Sequence, residues 1–212
     1  MSVKHKLPGL VVILSAPSGT GKTTICNTLI KRRRDYKFSV SVTTRSPRKR
    51  EREGVDYYFV SNVQFDSMIE NKKLAEWATV FGDRYGTPFL EIEKAISADK
   101  VLLCDIDVQG GMSLKQKFDK AVAIFLVPPS TAELRRRLLG RKTDTAEQRK
   151  IRLQTTVWEL SFWNRYDYIV LNDNLKKATD EVDRIIAAER AKTIRRNDRR
   201  FWRPPQARLL GL

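Results

Sequence analysis

The feature that most limits how this chain can fold is a short, unbroken apolar run, Leu10-Val11-Val12-Ile13-Leu14, which stops at small and turn-forming residues. A half-exposed strand alternates apolar and polar side chains. A run with no polar position has to be covered on both faces, as an inner strand of a parallel sheet is. Three more runs of this kind follow at 101–104, 122–127 and 168–171. Stretches with helical spacing lie between them. Ile25, Leu29 and Ile30 share one side of a helix predicted over 23–34, whose last turn carries the cations that suit a helix C-terminus. Further helices are predicted over 88–96, around Leu134 and Leu138, over 151–163 and from Leu175 to about Arg195. Strands alternating with helices predict an α/β fold built on a doubly wound parallel sheet. The part between the first two buried runs reads differently. It is expected to contain one alternating strand over 38–44, a charged loop over 46–56, a short aromatic strand at 57–60, a helix carrying Phe65, Met68 and Ile69, and a strand over 74–81.

With 212 residues, of which 41% are hydrophobic, the chain can bury one substantial core, which excludes disorder as its main state. No apolar run approaches the roughly 18 residues of a membrane span, so a soluble protein without membrane contact is expected. The N-terminal segment runs straight into Pro17, Gly19 and Gly21 without a cleavage-type ending, which argues against a secretory signal. Cys26 and Cys104 stand alone and His5 is the single histidine, which excludes a zinc site of the usual spacing and any Ser-His-Asp chemistry not supplied by His5. Both thiols lie in apolar segments and are expected to be buried and inert, and a reducing cytoplasm is the expected location. Trp77, Trp158 and Trp163, at strand and helix positions, are expected to pack into the core, and Trp202 lies in the tail.

The net charge is +16, from 41 lysines and arginines against 25 aspartates and glutamates. Such an excess first suggests a nucleic-acid partner. It is concentrated in segments 31–37, 45–53, 133–152 and 190–208, and local patches could equally grip a small polyanion.

The first buried strand leads into Ser15-Ala16-Pro17-Ser18-Gly19-Thr20-Gly21-Lys22-Thr23-Thr24, a phosphate-loop pattern with Ala16 in place of the leading glycine. Small residues here let successive N–H groups point at a polyphosphate, and the helix that follows turns its positive dipole end toward the anion. Lys22 is placed to neutralise the transferring phosphate oxygens, and the Thr23 hydroxyl to ligate Mg²⁺. Asp105, at the end of the second buried strand, stands where an acid near that metal belongs; the competing reading is a strand-end cap. In the segment 39–57, Ser41, Thr43, Thr44, Arg45, Arg48 and Tyr57 combine hydroxyls and guanidiniums, the donor set that clamps a second phosphate.

At this point the sequence resembles the guanylate kinases. Ser41-Val42-Thr43-Thr44-Arg45-Ser46-Pro47-Arg48 and Gly54-Val55-Asp56-Tyr57-Tyr58-Phe59 carry the resemblance, followed in order by Glu76-Trp77-Ala78, Gly82-Asp83-Arg84-Tyr85-Gly86-Thr87, Asp105-Ile106-Asp107-Val108-Gln109-Gly110, Pro128-Pro129-Ser130, Gly140-Arg141, Arg152-Leu153 and Asn172-Asp173. It spans about residues 8 to 192, and Ala16 also occurs within the bacterial branch of the family. The resemblance implies transfer of the γ-phosphoryl of ATP to GMP, and also to dGMP, with Mg²⁺. It places the phosphate-loop core at 8–38 and 100–195, with a lid at about 133–152, the GMP-binding insertion at 39–99 and a basic tail at 196–212. ATP would be held by Ser18, Gly19, Thr20, Gly21, Lys22, Thr23 and Thr24, with Asn172 and Asp173 beside its adenine. Arg45, Arg48, Tyr57 and Tyr85 would hold the GMP phosphate, while Ser41, Glu76 and Thr87 would read the guanine. Lys22, Arg48, Arg137, Arg141 and Arg152 would act on the moving phosphoryl group. Asp107 lies by the acceptor nucleotide, and Asp105 acts there or on the metal through a water, two roles that the sequence does not rank.

The resemblance departs from the family at Lys142 and at Lys49-Arg50-Glu51, and neither change removes a phosphate-gripping arginine. Segments 31–37 and 190–208 have no catalytic counterpart. They are read as solvated charge or as a weak, non-specific contact with nucleic acid, and a homo-oligomer is left open. The rival readings are a catalytically weak guanylate-kinase-like interaction domain, a basic ATP-using nucleic-acid-binding protein and a related small-sugar kinase.

Overall fold

The computed structural model describes residues 9–17, 19–139, 155–192 and 195. Leu10–Ser15 forms β1, and the phosphate loop leads into α1, Lys22–Arg32. Two short strands follow, β2 (Tyr36–Phe38) and β3 (Ser41–Thr43), then β4 (Tyr57–Phe59), α2 (Asn62–Glu70), β5 (Leu74–Val80) and β6 (Asp83–Pro88). Next come α3 (Phe89–Ser97), β7 (Val101–Asp105), α4 (Val108–Lys117), β8 (Val122–Val127) and α5 (Thr131–Leu139). Residues 155–160 form α6. A 3-10 turn at Trp163–Arg165, β9 (Tyr168–Leu171) and α7 (Leu175–Ala191) complete the described chain.

The four apolar runs do form parallel strands of one sheet, in the order β2-β7-β1-β8-β9. Because strand side chains alternate, β1 feeds two cores. Leu10, Val12 and Leu14 pack with Ile25, Cys26 and Leu29 of α1 and with Ala178, Val182 and Ile186 of α7. Val11 and Ile13 pack on the opposite face with Ile92 and Ala95 of α3 and Leu114 of α4. Both cysteines are buried, one in each core, as expected. This sandwich positions the site. After β1 the chain crosses to one face through α1, and after β7 to the other through α4. The loops leaving the carboxyl ends of these adjacent strands therefore diverge and open a crevice between them.

A second sheet, in the order β4-β3-β6-β5, is built entirely from residues between 41 and 88 and has its own small core of Val42, Phe65 and Leu74. The single strand expected over 38–44 is two strands in different sheets. Ser39 gives its N–H to Leu103 O at 2.9 Å, the chain leaves the first sheet, and Ser41 pairs with Tyr57 in the second. Alternation alone is the same on either side of that step.

Two elements had no forecast. β6 contains Gly86 and ends at Pro88, poor strand residues, yet a Cβ at Gly86 would lie 3.1 Å from Glu76 O, so close approach of β5 explains the glycine. α4 opens Val-Gln-Gly-Gly, a costly helix start at about 1 kcal/mol per glycine, and is started by Asp107, whose side chain accepts from Gly110 N.

The tryptophans correct an expectation. Trp77, Trp158 and Trp163 are 47%, 43% and 54% exposed, so none is a core residue. Trp77 lies on the outer face of β5, edge-on to Phe65, and Trp158 leans on Phe162.

Candidate active site

Gly19 and Gly21 have φ values of 85° and 101°, a left-handed conformation that costs glycine little and other residues more. Gly21 is the N-cap of α1, so the loop presents backbone N–H groups to the crevice just where the helix dipole begins. The loop is braced from within: Thr20 donates its hydroxyl to Pro17 O at 2.7 Å, and Lys22 reaches back to Ala16 O at 3.0 Å. It is also braced from outside, because the buried Asn172 side chain donates to Thr20 O at 2.6 Å. Asn172, expected beside an adenine, thus holds the loop itself, while Asp173 is exposed. Asn172→Ala is expected to raise the KM for ATP several-fold and to cost about 1–2 kcal/mol of stability, with the acceptor KM little changed. Steady-state kinetics and a thermal melt check both; an unaltered ATP KM would remove this role.

Thr23 donates its hydroxyl to Asp105 Oδ2 at 2.5 Å. The acid at the end of β7 therefore meets the phosphate-loop threonine. Capping falls to Asp107, whose Oδ1 accepts from Gly110 N at 2.8 Å.

The opposite wall of the crevice comes from the second sheet. Lys22, Ser41, Arg45, Arg48, Tyr57, Glu76, Tyr85, Asp105, Asp107 and Gly110 all line one open cleft. Arg45 is held by a two-point contact with Glu51, at 2.8 and 2.9 Å, and lies 5.4 Å from the centre of the Tyr57 ring. Its Nε is buried without a hydrogen-bond partner. Glu51 also accepts from the Arg48 backbone N–H at 2.8 Å, whereas the Arg48 side chain is 68% exposed. One acid therefore organises both arginines and leaves Arg48 open to the cleft. Burial pushes the Tyr57 phenol up to about 12, so it remains a neutral donor.

Deeper in, Glu76 is 3% exposed and Thr87 fully buried, and Thr87 donates to Glu76 Oε1 at 2.6 Å. Burial is the main cause that raises the Glu76 carboxyl to about 7, with the charge of Asp107 adding to it against the Thr87 hydrogen bond. Ser41, also buried, stands on the same wall.

The guanylate kinase family model matches residues 9–189. The chain belongs to the guanylate kinase family. It is 43% identical over 191 residues to the guanylate kinase of Halalkalibacterium halodurans, covering 90% of this chain and 94% of that one. With the guanylate kinase of Myxococcus xanthus it shares 45% identity over 189 residues, covering 89% and 90% of the two chains. The crystal structure of guanylate kinase from Anaplasma phagocytophilum superposes with a TM-score of 0.77 at 34% identity, over 92% of this chain and 93% of that one.

Ser18, Arg141 and Arg152 lie outside the described residues, as does the side chain of Arg137, whose backbone belongs to α5. Every other candidate has a definite place. Thr24 is exposed on the first turn of α1. Reasoning from sequence missed two contributors, Glu51 and Gly110. For Glu51 a signal was available, since it is one of two acids among five cations over 45–53. For Gly110 the signal was its place at the end of the Asp105-to-Gly110 motif, which does not reveal a neighbour 34 positions away.

Proposed function

We propose that this member of the family transfers the γ-phosphoryl group of ATP to GMP, giving ADP and GDP, in the cleft between the two sheets. The observation that supports the reading best is convergence. Lys22 from α1, Ser41 from β3, Glu76 from β5, Tyr85 from β6 and Asp105 from β7 line one cleft together with Arg45, Arg48 and Tyr57. Little in the sequence demands that meeting unless two phosphate-bearing molecules lie there together.

In this reading ATP lies along the phosphate loop, its phosphates on the N–H groups of Gly19 to Thr24 with Ser18 beside them, and its adenine on the side of Asn172 and Asp173. The phosphate of GMP, and of dGMP, rests on Arg45, Arg48, Tyr57 and Tyr85. The guanine enters the pocket of Ser41, Glu76 and Thr87. An oxygen of the GMP phosphate then attacks the γ-phosphorus in line as the bond to the ADP oxygen breaks, so one P–O bond forms for the one lost and no covalent intermediate is needed. Such transfers depend on alignment and on neutralising charge spread over the moving group. Lys22 serves that charge from the ATP side and Arg48 from the acceptor side, with Arg137, Arg141 and Arg152 assigned to a lid over both.

The donor set suits Mg²⁺, a hard ion that takes one or two protein oxygens and keeps the rest of its shell for phosphate and water. Thr23 Oγ1 would bind it directly and Asp105 through a water, and the two are already in contact. When bound, the ion offsets phosphate charge. The division into a core of 8–38 and 100–195, an acceptor-binding insertion of 39–99 and a tail of 196–212 belongs to the same proposal. No described helix is long and apolar enough to cross a membrane, and we assign the protein to the cytoplasm.

The deciding experiment is release of ADP measured side by side with GMP, dGMP, AMP and no acceptor. Release that requires GMP or dGMP supports the reading; equal release without acceptor defeats it.

A further inference from the structure

Gly110 lies at the first turn of α4, with its N–H bound to the Asp107 cap and its α-carbon facing the carboxylate of Glu76. Its backbone conformation is ordinary helix, so freedom of φ does not explain the glycine. Space does. A Cβ placed there would lie 2.5 Å from Glu76 Oε2 and 3.1 Å from Glu76 Cδ, well inside van der Waals contact. The other carboxylate oxygen is fixed, since Oε1 accepts the Thr87 hydroxyl at 2.6 Å. Glu76 is therefore tied by a hydrogen bond on one oxygen, while the other occupies space that any side chain at 110 would take.

We propose that Gly110 is a positioning residue for base selection: its lack of a side chain sets where Glu76 Oε2 meets the purine ring. This rests on the reading of Glu76 as the guanine acceptor. What yields under a methyl group at 110 decides the consequence. The backbone of α4 is fixed by its cap and by packing of Val108 and Leu114, both fully buried. The facing atoms are the far end of a side chain, and that end is what moves. The strain thus falls on recognition more than on folding, which distinguishes this glycine from its neighbour. A Cβ at Gly111 would lie 2.7 Å from both Ser15 Oγ and Tyr166 OH and would not press on Glu76.

The test compares GMP with inosine monophosphate, whose ring keeps the N1–H but lacks the 2-amino group. The preference for GMP then reports how well the second donor is met. Gly110→Ala is expected to lower that preference by about tenfold to a hundredfold, mostly through the KM for GMP, with the KM for ATP unchanged. Gly111→Ala is expected to lower the melting temperature and keep the preference of the parent.

Should Gly110→Ala fold poorly, Glu76→Asp provides a second arm, because its shorter side chain withdraws the carboxylate from the methyl group. The double variant should then match Glu76→Asp alone in selectivity, a non-additive result. An unchanged preference in Gly110→Ala, or losses that multiply in the double variant, would overturn the positioning role. A Glu76→Gln variant with the selectivity of the parent would overturn the reading of the base pocket and this inference with it.

Discussion

Replacing Lys22 with alanine is expected to lower kcat about a thousandfold while moving the melting temperature by no more than about 5 °C. The two halves of that expectation have separate causes. In the structure Lys22 is part-buried at the mouth of the phosphate loop and donates to Ala16 O at 3.0 Å. A single hydrogen bond to a carbonyl contributes about 1 kcal/mol to folding, and the loop keeps its other braces, the Thr20 turn and the Asn172 amide. Catalysis loses more. In the proposed transfer, negative charge grows on the phosphate oxygens as the bond to ADP breaks, and a fixed positive charge at Lys22 would be worth about 4 kcal/mol to that transition state. Lys22→Arg is not a rescue, because a planar guanidinium cannot replace a compact ammonium in a loop this tight. Coupled ADP release and a thermal melt of the same preparations check both halves. A kcat within tenfold of the parent would remove Lys22 from the chemistry.

How much of this was legible in the sequence depends on how local the controlling interactions are. β1 and the loop after it could be read directly, since apolar run, glycines and helix follow one another without a gap and each makes the next physically sensible. The clefted arrangement could not be read from local pattern and was implied only by the family resemblance. Ser41 and Glu76 are 35 positions apart, and only the pairing of β3, β6 and β5 brings their strands onto one wall. The step at Ser39 between the two sheets left no mark in an alternating segment that suits either sheet. Asp105 and Asp107 are the sharpest case. Two positions apart in one motif, they were indistinguishable by spacing. The structure separates them because the first ends a strand facing Thr23, and the second begins a helix and takes up its free N–H group. The exposed tryptophans show the converse, a residue type that promises burial and a position on the outer face that denies it.

Changing Glu76 to glutamine is expected to reduce the preference for GMP over AMP by about a hundredfold or more, and the reason lies in the order of donors and acceptors. Guanine offers N1–H and the 2-amino group side by side, two donors that an ionised carboxylate accepts, whereas adenine offers an acceptor at N1 and a donor at the 6-amino group. Thr87 donates to Oε1, so in the glutamine variant the carbonyl oxygen keeps that position and the amide nitrogen takes the place of Oε2 beside Gly110. A donor then faces a donor of guanine. Protonation produces the same reversal in the parent. The carboxyl of Glu76, raised to about 7 chiefly by burial, is largely neutral at pH 6. GMP draws it into the ionised form, so the KM for GMP should fall as pH rises through about 7 and level off above, with up to a tenfold change per unit below. The parent at pH 5.5 should therefore move toward the selectivity of the glutamine variant, which itself should show no step near pH 7 from this group. Folding carries the opposite sign: the same upward shift takes about 3 kcal/mol from the stability of the parent between pH 4.5 and 7, a loss the amide does not suffer. Selectivity measured with GMP and AMP across pH 5.5 to 8.5 for both proteins decides the matter. Parallel, flat profiles would mean that some group other than Glu76 reads the base.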